Sequence, residues 1–258
     1  MNAAGPPWAQ GNIAFFPALY QRWPDFPFRP CLLTGPSMSD FATARQKMVD
    51  GQVRTSDVTD RRILDAMLAL PRENFVPDKK RPLAYLDMDL DVSAHGSGRF
   101  LIKPMLTAKL LQAAEIQPTD KVLIVGCATG YLAALAARLT AKVVATESDS
   151  ELAAKGKDIL SKLGFQETVT IMTAEPAAGC SAEAPFNVII LNGATEIVPD
   201  GLCQQLGDGG RLLGVFASSR PSRATIVTRS RGDFGHRTLF DAAAPVLPGL
   251  QRRPEFVF

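Results

Sequence analysis

The chain has 258 residues, with 28 Lys and Arg against 26 Asp and Glu, and this formal charge of +2 excludes a dedicated polyanion or membrane-surface binder. Hydrophobic residues at 46% and charged residues at 21% exclude intrinsic disorder or a fibrous repeat over most of the length. Four cysteines (Cys31, Cys127, Cys180, Cys203) without a CxxC pair, and two isolated histidines (His95, His236), exclude a zinc finger or a His-rich metal site; no metal is expected, and a reducing, cytoplasmic setting is.

Residues 1–37 differ from the rest: they hold seven of the 19 prolines, both tryptophans (Trp8, Trp23) and three charges (Arg22, Asp25, Arg29). They are expected to form an arm outside a domain of residues 38–258. The arm is either poorly ordered or upstream of a start at Met38, or it uses Trp8, Phe15, Phe16, Tyr20 and Trp23 as anchors on a protein partner or on the domain. Pro6, Pro7 and Pro17 break its apolar run and no cation precedes Arg22, so it does not read as a signal peptide. No stretch approaches the roughly 18 apolar residues of a membrane helix. From Ser39 the spacing of Phe41, Met48 and Val49 predicts a helix. A second helix, capped by Thr59, carries the stripe Ile63, Leu64, Met67 and Leu68 and ends at Pro71. An irregular stretch follows (Asp87, Asp89, Asp91, Gly96, Gly98), and Pro104 then opens a helix through Leu106, Leu110 and Leu111.

Strand and helix alternate next. Strands are predicted over 121–125, 142–146, 169–172, 187–191 and 211–216, with helices over 131–140, 151–163 and 199–206. Residues 224–229 and 238–243 read as a β pair around a Gly/Asp turn. Short apolar strands joined by helices predict an α/β fold with a doubly wound, mostly parallel sheet, preceded by helices and closed by the antiparallel pair.

The segment VLIVGCATGY (residues 122–131) reads as a strand, a tight turn and a helix start, the geometry in which backbone N–H groups face a ligand. Gly126 and Gly130 tolerate positive φ, and Ala128 nearly preserves that room. Glu147, 17 residues beyond Gly130 at a strand end, is placed for the two hydroxyls of a ribose. A G-x-A-x-G turn is shorter than a dinucleotide fingerprint and suits S-adenosylmethionine, which has no pyrophosphate. An acid that serves only as a ligand can be neutralised without loss of the fold, so Glu147→Gln is expected to weaken cofactor binding alone.

Several runs resemble the protein-L-isoaspartate O-methyltransferases, from about Met48 to the C-terminus. MVDGQVR (48–54), ILDAMLALPRENFVP (63–77, containing a PR-x-x-FVP signature) and Ala84-Tyr85 are similar to that family's N-terminal helices. His95-Gly96 and Lys103-Pro104 resemble its substrate loop, and GCATGYLAALAA its cofactor loop. APFNVIILNGA (184–194) resembles its fourth-strand motif, and QLGDGGRL (205–212) the turn before its fifth strand. The resemblance implies the methyltransferase Rossmann-like fold, S-adenosylmethionine as cofactor, and methylation of the α-carboxylate of isoaspartyl residues in damaged proteins or peptides. It places Gly126, Cys127, Ala128, Gly130, Tyr131, Glu147, Glu175 and Asn192 around the cofactor. No nucleic-acid partner is implied.

The match departs from the family in the substrate loop, where Ile102 stands at the position of a serine that orients the reacting carboxylate. Lys103, His95 or Thr107 would have to supply that contact, although Lys103 also reads as a solvated side chain and His95 as a loop hydrogen-bonder. Ile124 replaces an acid before the first glycine, and TAEP replaces a G-D-G after the third strand, leaving Glu175 as the nearest acid. These departures keep open a second reading, a non-catalytic binding or assembly module on the same fold.

Overall fold

The structure is a computed structural model that describes residues 38–93 and 98–252. The expected arm and His95 lie outside the described residues. The chain enters through α1 (Met38–Met48) and α2 (Arg61–Ala69). The cap of α2 is Asp60 rather than Thr59: its side chain accepts from the Arg62 N–H at 2.9 Å, whereas the Thr59 N–H donates to Gln112 Oε1 at 2.7 Å. The irregular stretch forms two short antiparallel strands, β1 (Leu90–Asp91) and β2 (Phe100–Leu101), which lead into α3 (Pro104–Ala114).

The large sheet comprises β3 (Lys121–Val125), β4 (Lys142–Glu147), β5 (Val169–Thr173), β6 (Phe186–Thr195), β7 (Leu206–Phe216), β8 (Arg223–Ser230) and β9 (Asp233–Asp241). Its order is β5-β4-β3-β6-β7-β8-β9; the first five pair in parallel, and β8 pairs antiparallel with both β7 and β9. Helices α4 (Tyr131–Ala137) and α5 (Ser150–Lys162) join β3 to β4 and β4 to β5, while α6 (Asp200–Cys203) precedes β7. The expected helix over 199–206 is thus one turn, because β7 starts already at Leu206 and pairs with Phe186.

Alternate residues of the central strands serve opposite faces. Val122, Ile124, Val143, Ala145, Val188 and Ile190 join the larger cluster, which includes residues of α2, α3, α4 and α5. Leu123, Val125, Val144, Ile189 and Leu191 join a smaller one with Leu202, Leu206, Leu247 and Leu250. Burial on both faces explains why the strands read as continuous apolar runs. The chain runs outward from β3 to β5 and then returns to β6 on the other side of β3. This switch point, at the carboxyl ends of β3 and β6, is where open α/β sheets place ligands.

Candidate active site

Val125 pairs with Thr146, so Glu147 at the end of β4 lies beside the turn that begins at Gly126. That turn uses three left-handed residues, Gly126 (φ +68°), Ala128 (φ +52°) and Gly130 (φ +93°). Glycine adopts this conformation freely, but Ala128 holds it at a cost of about 1–2 kcal/mol. The offsetting contact is a hydrogen bond from the Ala128 N–H to Glu147 Oε2 at 2.7 Å, with both groups buried.

The other carboxylate oxygen is engaged as well. Glu147 Oε1 accepts from Arg99 Nε at 2.7 Å and from the Asp149 N–H at 3.1 Å, and Arg99 Nη2 donates to Ser148 Oγ at 2.7 Å. Arg99 and Glu147 are 2% and 0% exposed at their side chains, a fully desolvated ion pair. Arg99 precedes β2 directly, and its carbonyl accepts from the Val92 N–H at 2.9 Å. The sequence offered one signal for it: Arg99 is the only cation between Gly96 and Lys103.

Around this pair hydrogen-bonding capacity is left over. Asn192, on β6, donates from Nδ2 to the carbonyls of Gly126 (2.9 Å) and Phe100 (3.3 Å), tying the turn to β2, while its Oδ1 is buried without a partner among the described residues. Thr146 Oγ1 and Arg99 Nη1 are likewise buried and without a partner among the described residues. Native interiors satisfy nearly all such atoms, so this grouping is compatible with a polar ligand. Cys127 is buried in the turn, and desolvation, reinforced by the nearby Glu147 charge, holds its thiol far above the ordinary range; it is a packing group, not a nucleophile. Tyr131 is enclosed too. Its ring meets Phe75 edge-on at 5.2 Å and lies 4.7 Å from the Arg72 guanidinium, and burial raises its phenol. Glu175, after β5, is exposed.

The C-terminal segment covers the turn. Residue 246 forms a parallel bridge with Ala194, the Leu247 N–H donates to the Ala194 carbonyl at 2.9 Å, and the Ala194 N–H donates to Pro245 at 2.8 Å. A Cβ on Gly126 would sit 2.7 Å from Leu247 Cδ2, and one on Gly193 2.8 Å from the Pro245 carbonyl. Nothing in the sequence marks Leu247, because its role arises only where the chain returns over the sheet.

Between β2 and α3, Ile102 is 1% exposed and its carbonyl accepts from Arg72 Nη2 at 2.8 Å. Arg72, fully buried, also donates from Nε to the Ala84 carbonyl at 2.8 Å, so the signature arginine ties the N-terminal helices to the connection between β2 and α3. Thr107 is buried, and its hydroxyl donates back to the Lys103 carbonyl at 3.0 Å and the Ile102 carbonyl at 3.3 Å, which commits it to the first turn of α3. Lys103, half-buried at the N-cap of α3, donates its N–H to Asp89 Oδ1 at 2.8 Å.

A glycine turn, a strand-end carboxylate and an unpartnered Asn192 Oδ1 fit an adenosine-type ligand in kind. In the described arrangement Arg99 is hydrogen-bonded to Glu147 and Leu247 lies against Gly126.

Residues 43–235 match the family model described as Protein-L-isoaspartate(D-aspartate) O-methyltransferase (PCMT). A protein-L-isoaspartate O-methyltransferase of Koribacter versatilis is 36% identical over 210 residues, which cover 81% of this chain and 92% of that protein. One from a Roseiflexus species is 35% identical over 194 residues, covering 75% and 86%. Among solved structures, a protein-L-isoaspartate O-methyltransferase superposes with a TM-score of 0.69 at 24% identity, over 80% of this chain and 67% of that one. A Plasmodium falciparum protein titled a putative member, solved with S-adenosyl-L-homocysteine, gives 0.67 at 17% identity, over 80% and 97%. The two superpositions establish the shared fold, and with the family model and the bacterial relatives they place this chain in the protein-L-isoaspartate O-methyltransferase family.

Proposed function

We propose that this chain transfers the methyl group of S-adenosylmethionine to the α-carboxylate of L-isoaspartyl residues in damaged proteins or peptides. The observation that carries the proposal is the placement of Glu147 against the Gly126–Gly130 turn at the switch point of the sheet, in a chain of this family. When bound, the cofactor supplies an electrophilic methyl group on a sulfonium. The carboxylate nucleophile is already ionised at neutral pH, so the protein needs no strong base; it must align the two reactants and keep water out.

The chain's residues divide that work. Glu147, once released from Arg99, accepts the ribose hydroxyls, and Asn192 offers its unpartnered Oδ1. Gly126, Cys127, Ala128 and Gly130 let the backbone approach the cofactor, Tyr131 backs the turn, and Glu175 stands on the outer side. Lys103 orients the substrate carboxylate, with His95 as a second contact, while Thr107 fixes the turn of α3 that carries Lys103.

A cytoplasmic setting belongs to the same proposal. It is supported by three cysteines, Cys127, Cys180 and Cys203, that are buried and free. No helix among the described residues is long and apolar enough to cross a membrane. Neither a nucleic-acid partner nor a membrane enters the scheme, and any contact of the aromatic arm with a protein partner rests on its composition. Incubation with methyl-labelled donor and an isoaspartyl peptide, beside its aspartyl twin, tests the reaction. Base-labile methyl ester on the isoaspartyl peptide alone is the expected result. Folded protein that transfers no label to it at saturating donor would leave the non-catalytic module as the better reading.

A further inference from the structure

We propose that Arg99 is an internal occupant of the cofactor site, competing with the cofactor's ribose for Glu147, so that the described arrangement is a self-closed state. This rests on the reading of Glu147 as the ribose ligand. Among the described residues three donors reach the Glu147 carboxylate: the N–H groups of Ala128 and Asp149, and Arg99 Nε. The two backbone donors are fixed by the turn and by the residue that caps α5. Arg99 is the one side-chain donor among them, so it is the partner that a ribose diol replaces.

Two further observations favour a displaceable contact over a permanent one. Arg99 Nη1 is buried without an acceptor among the described residues, so the closed state leaves a desolvated cation incompletely satisfied there. The residue adjoins β2, a strand of two residues whose strand partner is the equally short β1. Leu247 closes the glycine side of the same site. Arg99 also lies four residues before Lys103, in the same connection that is proposed to hold the substrate.

Two measurements test the contact. Calorimetry with S-adenosylhomocysteine compares the wild-type chain with Arg99→Met, which keeps an apolar stem and removes the competing guanidinium. The variant is expected to bind at least tenfold more tightly. Hydrogen exchange of the wild-type chain is expected to show residues 98–103 losing protection when S-adenosylhomocysteine binds. Equal or weaker affinity in the folded variant overturns the competition alone, as does increased protection of residues 98–103. Absence of binding by both proteins overturns the competition and the cofactor reading together. Should Arg99→Met not fold, the exchange experiment on the wild type decides by itself.

Discussion

Glu147→Gln separates a carboxylate that only awaits a ligand from one that also holds the protein together. The amide keeps the size of the side chain but loses its charge, and one of its two terminal atoms can no longer accept a hydrogen bond. Of the three donors that converge on Glu147, at 2.7, 2.7 and 3.1 Å, at least one loses its acceptor, and Arg99 stays buried with no counter-charge. Breaking a buried pair from one side costs about 3–5 kcal/mol, against at most about 1 kcal/mol for an exposed pair. At roughly 2–4 °C per kcal/mol for a domain of this size, Tm should fall by about 6–20 °C. The expectation from sequence, an intact fold with weakened cofactor binding, is therefore revised. Circular dichroism melts without ligand provide the measurement. Adding Arg99→Met to the Gln variant should restore part of the loss, because both charges are then gone. A Glu147→Gln Tm within about 2 °C of wild type would refute the buried-pair argument.

Gly126→Ala should cost about 1–3 kcal/mol, because its Cβ would lie 2.7 Å from Leu247 Cδ2 at a φ of +68°; urea denaturation reads the loss, and Leu247→Ala in the same chain should recover only the steric part. Ile102→Ser should lose about 2–5 kcal/mol, since the side chain is 1% exposed; a loss below about 1 kcal/mol would show that Ile102 faces solvent. Alkaline stability should decline from about pH 9 upward. Burial holds the Cys127 thiol and the Tyr85 and Tyr131 phenols above their ordinary values, and burial with the nearby Asp200 charge pushes the Cys203 thiol up to about 11. Each group binds its proton more tightly folded than unfolded, so stability is whole below the unfolded thiol value of 9.0 and is lost as these groups ionise. Melts between pH 7 and pH 11 check this, and a flat Tm across that range would refute it.

Local signals carried the parts of the fold that depend on neighbours along the chain. Apolar runs bounded by glycine marked β3 and β6, and the positive φ at Gly126 and Gly130 follows from residue type. The cap of α2 falls one residue later than expected: Gln112, far along the chain, accepts from the N–H groups of both Thr59 and Asp60, and the Asp60 side chain accepts from the Arg62 N–H. The Thr107 hydroxyl, expected beside a substrate, is committed to α3 because a backbone carbonyl four residues back lies within reach.

The sequence by itself determined the parallel sheet, the glycine turn and the acid at the end of β4, because apolar periodicity and glycine placement act over a few residues. Only the tertiary structure decided what stands against that acid. Arg99 lies 48 residues from Glu147, and Leu247 lies more than a hundred from Gly126, so nothing local pairs them. Their contacts exist because β2 and the C-terminal segment both return to the carboxyl ends of the central strands. There the low dielectric draws a buried carboxylate to the nearest cation, and a bare glycine leaves room for a leucine.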